Sequence, residues 1–233
     1  MTAAGQPQAE RDQGSQWKAY VLPFAALIAL LELAPWLGIG PAVAYPVRAV
    51  AVLAALAVFS RGLAGLRPGR PLAGALVGLA AFAVWIAPDV LFPGYRHFWL
   101  IDNPLTRVSA AAVTPPALRT AIWYLCFRTA GAALPVAAAE ELFWRGWLMR
   151  WLISSDVAKI PFGTYSPRAF WLTAVLFASE HGAFWDVGLA TGILYNWWMI
   201  RTRRLGDCIL AHAVTNAALG AYVIAGGHWQ YWT

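Results

Sequence analysis

Residues 17–37, 44–60, 72–87 and 208–225 are apolar runs close to the roughly 20 residues that cross a bilayer as a helix. A fifth run, 117–153, is too long for one straight span: at 1.5 Å per residue it would reach about 55 Å, against a hydrocarbon core of about 30 Å. Pro135 lies inside it and is expected to kink it or divide it in two. Two further apolar stretches, 170–181 and 184–200, precede the last run. In lipid every backbone polar group must be satisfied within the protein, and a helix does this segment by segment. The pattern predicts an all-α fold, a polytopic transmembrane bundle of about seven to eight membrane-spanning helices.

Composition agrees. Only 12% of the residues are charged and 60% are hydrophobic, against a soluble norm of about 25% charged. The net charge of +6 does not indicate a nucleic-acid partner, because the basic residues fall in short loops between apolar runs. The loops around 61–70, 145–168 and 201–204 are basic, whereas 89–116 and 182–186 are mixed or acidic. Seven spans place the three basic loops on one side. This predicts a multi-pass protein of the cell (inner) membrane, N-terminus cytoplasmic and C-terminus outside. Three regions follow: a polar cytoplasmic tail, 1–16; N-terminal helices with a Pro-rich loop, 17–116; and a helical core, 117–233. The tail lacks the charged, then apolar, then small-residue order of a cleaved signal, so the first run is expected to stay as an anchor.

Individual residues carry expectations of their own. Glu32 reads as a boundary residue, Arg48 as a side chain that snorkels to the interface, and His97 as a surface residue. Arg128 should face protein or water. Gly74, Gly78, Ala80 and Ala81 suit close helix packing. Cys126 and Cys208 have no CxxC or metal spacing and read as two buried free thiols.

Three polar clusters interrupt the apolar runs. Glu140 and Glu141 are adjacent, so they point about 100° apart, while Glu141 and Arg145 share a face and suit a charge pair. Glu140, with no cation four residues on, is then a candidate general base for water. Taken alone, the motif could equally cap a helix at the interface. Glu180 and His181 end a span, and His212 and Asn216 share one face of the last span. Each alone could be an interhelical hydrogen bond; together, in spans able to converge, they favour a site, since buried His and Asn need partners.

In this order, Glu140-Glu141-x-x-x-Arg145, Phe177-x-x-x-His181 and His212-x-x-x-Asn216 resemble the motif set of the CPBP (CAAX protease/bacteriocin-processing) intramembrane proteases. The likeness covers about 123–222. It is closer to the CAAX protease-related proteins of bacterial exosortase systems, through the Glu180-His181-Gly182 step and the Arg203 to Cys208 turn. The resemblance implies an endopeptidase acting on a membrane-associated protein or peptide, with an exosortase-system partner and without prenylated CAAX substrates. It implies that Glu140 activates water with the help of His181, that His212 and Asn216 stabilise the oxyanion, and that Glu141 and Arg145 support them. It leans to a reaction without a cofactor. Zinc on His181, His212 and a glutamate is the alternative, against which stands the absence of His-Glu-x-x-His. Two other functions compete: a non-catalytic scaffold or immunity-type binding protein that keeps the polar cluster for structure, and a transporter using Glu140 and His181 as a proton relay. Glu180 is not required by the family's motif.

Overall fold

A computed structural model describes residues 6–63, 66–101 and 114–232, with side chains from residue 17 onward. The side chains of the expected tail, 1–16, and the middle of the Pro-rich loop, 102–113, lie outside the described residues.

Among the described residues seven helices form a bundle: α1 (Gln6–Trp36), α2 (Pro41–Ser60), α3 (Pro71–Leu91), α4 (Ile122–Trp151), α5 (Pro167–Ser179), α6 (Trp185–Thr202) and α7 (Leu205–Gly226). Five are long and apolar enough to cross a membrane, α1 doing so over Trp17–Trp36; α5 and α6 are the two that are not. The outward faces are apolar: Val43, Val47 and Val50 on α2 and Leu72, Leu76 and Leu79 on α3 are all exposed. Apolar surface of this extent on helices of spanning length suits a lipid-facing bundle.

α3 and α7 pack along their length, and the small residues on α3 allow it. A Cβ added to Gly78 would lie 2.4 Å from the Ala211 carbonyl oxygen, and one on Gly74 would meet Leu210 at 3.3 Å. The close-packing face expected from sequence is this contact.

α4 does not divide at Pro135. It stays continuous over 30 residues and widens into π turns at Ala132–Val136 and Leu142–Leu148. Proline lacks the N–H and crowds the carbonyl four residues back, and a wider turn relieves that clash without breaking the helix. Glu140 and Glu141 therefore occupy a short α-helical step, Ala137–Glu141, between two widened turns.

Each end of the bundle is tied by polar contacts. At one end Asp207 Oδ1 accepts the backbone N–H of Gly69 at 2.7 Å and of Arg70 at 2.9 Å, joining the starts of α3 and α7. Arg150 there donates to the Ile160 and Gly146 carbonyls, and the basic loops gather around it. At the other end Arg96 holds Asp89 at 2.9 Å and Asp186 at 2.7 Å, and the Tyr231 hydroxyl donates to Asp89 at 2.7 Å. Burial, and then the Asp89 carboxylate, push the Tyr231 phenol up, so it remains the donor.

Two expectations need correction. Arg48 does not snorkel: it is 8% exposed and lies over the Tyr45 ring at 4.0 Å. Cys126 is exposed on α4; only Cys208 is buried, and both are free. The Pro-rich loop shows short 3₁₀ turns at Tyr95–His97 and Pro116–Leu118 among its described residues. His97 is exposed, as expected.

Candidate active site

The three polar clusters converge on one cavity of about 610 Å³, whose walls include Glu140, His181, His212 and Asn216. α4 supplies Glu140, the turn after α5 supplies His181, and α7 supplies His212 and Asn216. Trp85, Gly182, Tyr231 and Trp232 line it toward the end of the bundle opposite the basic loops.

Glu141 and Arg145 lie behind the cavity wall, with side chains 0% exposed and a 2.9 Å ion pair. The Arg145 fork is filled: Nε donates to Asn196 Oδ1 at 2.9 Å, and Nη2 donates to the Gly192 carbonyl at 3.2 Å. The guanidinium also sits 4.5 Å over the Phe177 ring. Asn196 is held in turn, its Nδ2 donating to the Phe170 carbonyl at 2.8 Å. Each guanidinium nitrogen of this buried pair has an acceptor, and the contacts join α4, α5 and α6, while Glu141 Oε2 is buried without a partner among the described residues.

His212 is oriented by the same carboxylate. Its Nδ1 lies 2.9 Å from Glu141 Oε1 and is the donor, since a carboxylate only accepts. The ring stacks on Tyr195 at 5.1 Å, and the Tyr195 hydroxyl donates to Thr215 at 2.7 Å. Nε2 is thereby aimed at Glu140 Oε2, 3.9 Å away. That gap is too long for a hydrogen bond. Glu140 Oε2 is buried and has no hydrogen-bond partner among the described residues.

His181 Nδ1 lies 2.7 Å from the Phe177 carbonyl and must donate to it, which leaves Nε2 free for the cavity. The ring is wedged between Phe177 at 4.7 Å and Trp85 at 5.2 Å. Gly188 allows this placement: an added Cβ would stand 3.2 Å from three atoms of His181. Asn216 donates one amide N–H to the Ala132 carbonyl at 2.9 Å, within the first π turn of α4, and keeps its second for the cavity. Glu180 also lines the cavity and is exposed.

Residues 118–218 match the family model described as type II CAAX prenyl endopeptidase Rce1-like. This stretch is similar to that family. The match overlaps the region of CPBP resemblance and contains all four cavity residues and the Glu141–Arg145 pair behind them. Neither a curated protein nor a solved structure matches the chain.

Sequence reasoning missed Asn196, Tyr195 and Gly192 within the matched segment. Asn196 had a signal, an amide in the middle of an apolar run, the same signal that drew attention to Asn216. Among the described residues, no three His, Cys, Asp or Glu side chains converge as a metal site. No step below passes through a metal.

Proposed function

We propose that this protein is an intramembrane endopeptidase that hydrolyses a peptide bond of a membrane-associated protein or peptide by direct attack of water. The observation that carries the reading is the approach of Glu140 Oε2 to His212 Nε2, 3.9 Å apart in a cavity shared with His181 and Asn216. The Rce1-like match supports the activity class.

Glu140 takes a proton from the water as the oxygen attacks the scissile carbonyl. His181, fixed through Nδ1, holds the water through Nε2. The carbonyl electron pair moves onto oxygen, where Asn216 donates its free amide N–H; His212 adds Nε2–H when its ring carries both protons. Collapse of the tetrahedral intermediate breaks the C–N bond, and Glu140 returns the proton to the leaving amine. Glu141, held by Arg145, keeps His212 turned toward the carbonyl. An exosortase-system setting rests on the sequence likeness alone.

Substrate trapping tests the reading. A Glu140→Gln variant purified from its native membrane should retain a bound protein or peptide that the parent cleaves when mixed with it. A trapped molecule that the parent leaves intact would favour the non-catalytic binding role instead.

A further inference from the structure

Arg48 is a charge within α2 that the proposed reaction leaves unused. It sits seven residues into the helix from Pro41 (48 − 41 = 7), about 10 Å below the α1–α2 turn at 1.5 Å per residue, and it is 8% exposed. Its guanidinium lies 4.0 Å from the centroid of the Tyr45 ring, and Arg128 of α4 stands 3.9 Å from the same centroid. Two guanidinium groups that close must occupy opposite faces of the ring. Arg128 thereby faces protein and the cavity of Glu140, as expected from sequence. Among the described residues Arg48 makes no hydrogen bond and no ion pair. Cation–π contact offsets part of the desolvation, but a buried cation in an apolar span still calls for an anion.

Arg48 opens into a second cavity, of about 480 Å³, divided from the first by Leu31, Tyr45 and Trp232, which wall both. Two buried hydroxyls line it as well: Tyr124 of α4, which lies beside the guanidinium, and Thr114. Thr114 Oγ1 reaches the Trp232 carbonyl at 3.4 Å, a weak hydrogen bond that a better acceptor would replace. Among the described residues no Asp or Glu lines this cavity. The rest of its wall is apolar, through Ala34, Pro35 and Ile39, and runs to Gly40 and Pro41 at the α1–α2 turn. Trp36, beside that turn, is 87% exposed, and a tryptophan at the end of a spanning helix marks the depth of lipid headgroups. The cavity is a slot that starts at headgroup level and ends on one cation and two hydroxyls.

We propose that this second cavity binds the phosphate of an anionic phospholipid, with Arg48 as its counter-ion and the Tyr124 and Thr114 hydroxyls as donors. A phosphate oxygen is a strong acceptor for all three groups, and hydrogen bonds of this kind are charge-assisted. The net charge of the lipid follows from the wall. Arg48 matches a singly charged head such as phosphatidylglycerol. A choline head would bring a second cation into a slot with no carboxylate to receive it, which disfavours the zwitterion. The apolar wall takes the glycerol and the first methylenes, which free phosphate lacks. The site is separate from Glu140 and does not depend on the peptidase reading.

Native mass spectrometry of the detergent-purified protein tests it, with dioleoyl phosphatidylglycerol and dioleoyl phosphatidylcholine as probes. One phosphatidylglycerol is expected to be held at least about tenfold more tightly than phosphatidylcholine, as a charge-assisted hydrogen bond implies. That preference is expected to vanish in Arg48→Gln, to survive in part in Arg48→Lys, and to fall by about fivefold in Tyr124→Phe, which removes one neutral hydrogen bond. All three variants are expected to melt with the parent in lipid-free detergent. Equal binding of the two lipids overturns the proposal. A preference that survives Arg48→Gln overturns it too, and assigns the lipid to the basic loops at the other end of the bundle. Displacement of the lipid by inorganic phosphate or by soluble glycerophosphoglycerol would make this a site for a free phosphate, and the lipid assignment falls. If Arg48→Gln does not fold, the other two variants decide: an unchanged preference in both overturns the site.

Discussion

His212 and Glu141 meet at 2.9 Å, Nδ1 to Oε1, although 71 residues separate them in the chain. One carboxylate oxygen therefore serves both a buried arginine and a histidine of the cavity, at 2.9 Å each. Glu141 is the joint between the rigid back of the site and its reactive front.

Glu141→Gln keeps the shape and removes the charge, leaving Arg145 buried without a counter-ion. The expected cost is about 3–5 kcal/mol of stability, the range for breaking a buried pair from one side. Thermal unfolding in detergent measures it. A variant that melts with the parent would mean that the Asn196 and Gly192 contacts suffice to hold the guanidinium.

Gly188→Ala tests the placement of His181 without touching a polar group. The new methyl would press on the His181 ring at 3.2 Å, so the ring must move by a few tenths of an ångström. Cleavage is expected to slow by about tenfold or more, since small misplacements of a catalytic group are costly. Stability should change by no more than about 1–3 kcal/mol, as for overpacking elsewhere. Unchanged turnover would show that His181 is dispensable.

Much of the site can be read in the sequence because it is local. The Glu141–Arg145 pair and the His212–Asn216 face both follow from helical spacing, and Gly74 with Gly78 announced the face that packs on α7. What could not be read depends on chain crossings. Nothing near Glu141 indicates that His212 will arrive beside it, and nothing near Arg145 points to Asn196 on α6. Pro135 was visible, but whether a helix kinks, splits or widens there depends on its neighbours; Asn216 from α7 caps the Ala132 carbonyl in the widened turn. Arg48 looked like a snorkelling residue because its distance from the helix start was legible and the Tyr45 ring beside it was not.

Asn216→Ala removes an oxyanion donor and the tie to Ala132. Loss of one such donor is expected to lower kcat about 10²- to 10³-fold with KM little changed. Steady-state kinetics on a cleaved peptide separates the two parameters. A rise in KM at constant kcat would make Asn216 a substrate-binding residue instead.

Zinc offers an independent check on the chemistry. Detergent-purified protein is expected to carry zinc well below one atom per chain, and cleavage is expected to survive 1,10-phenanthroline. Stoichiometric zinc in the parent, absent from His212→Ala, would transfer water activation to a metal.

The most direct measurement is the cleavage rate of Glu140→Gln in membranes, with insertion and melting matched to the parent. The exchange keeps the side chain's size and removes its ability to take a proton from water. A rate at least about 10³-fold below the parent is expected, in line with loss of a catalytic base. Cleavage at the parent's rate would contradict the assignment of Glu140 and with it the glutamate-activated mechanism.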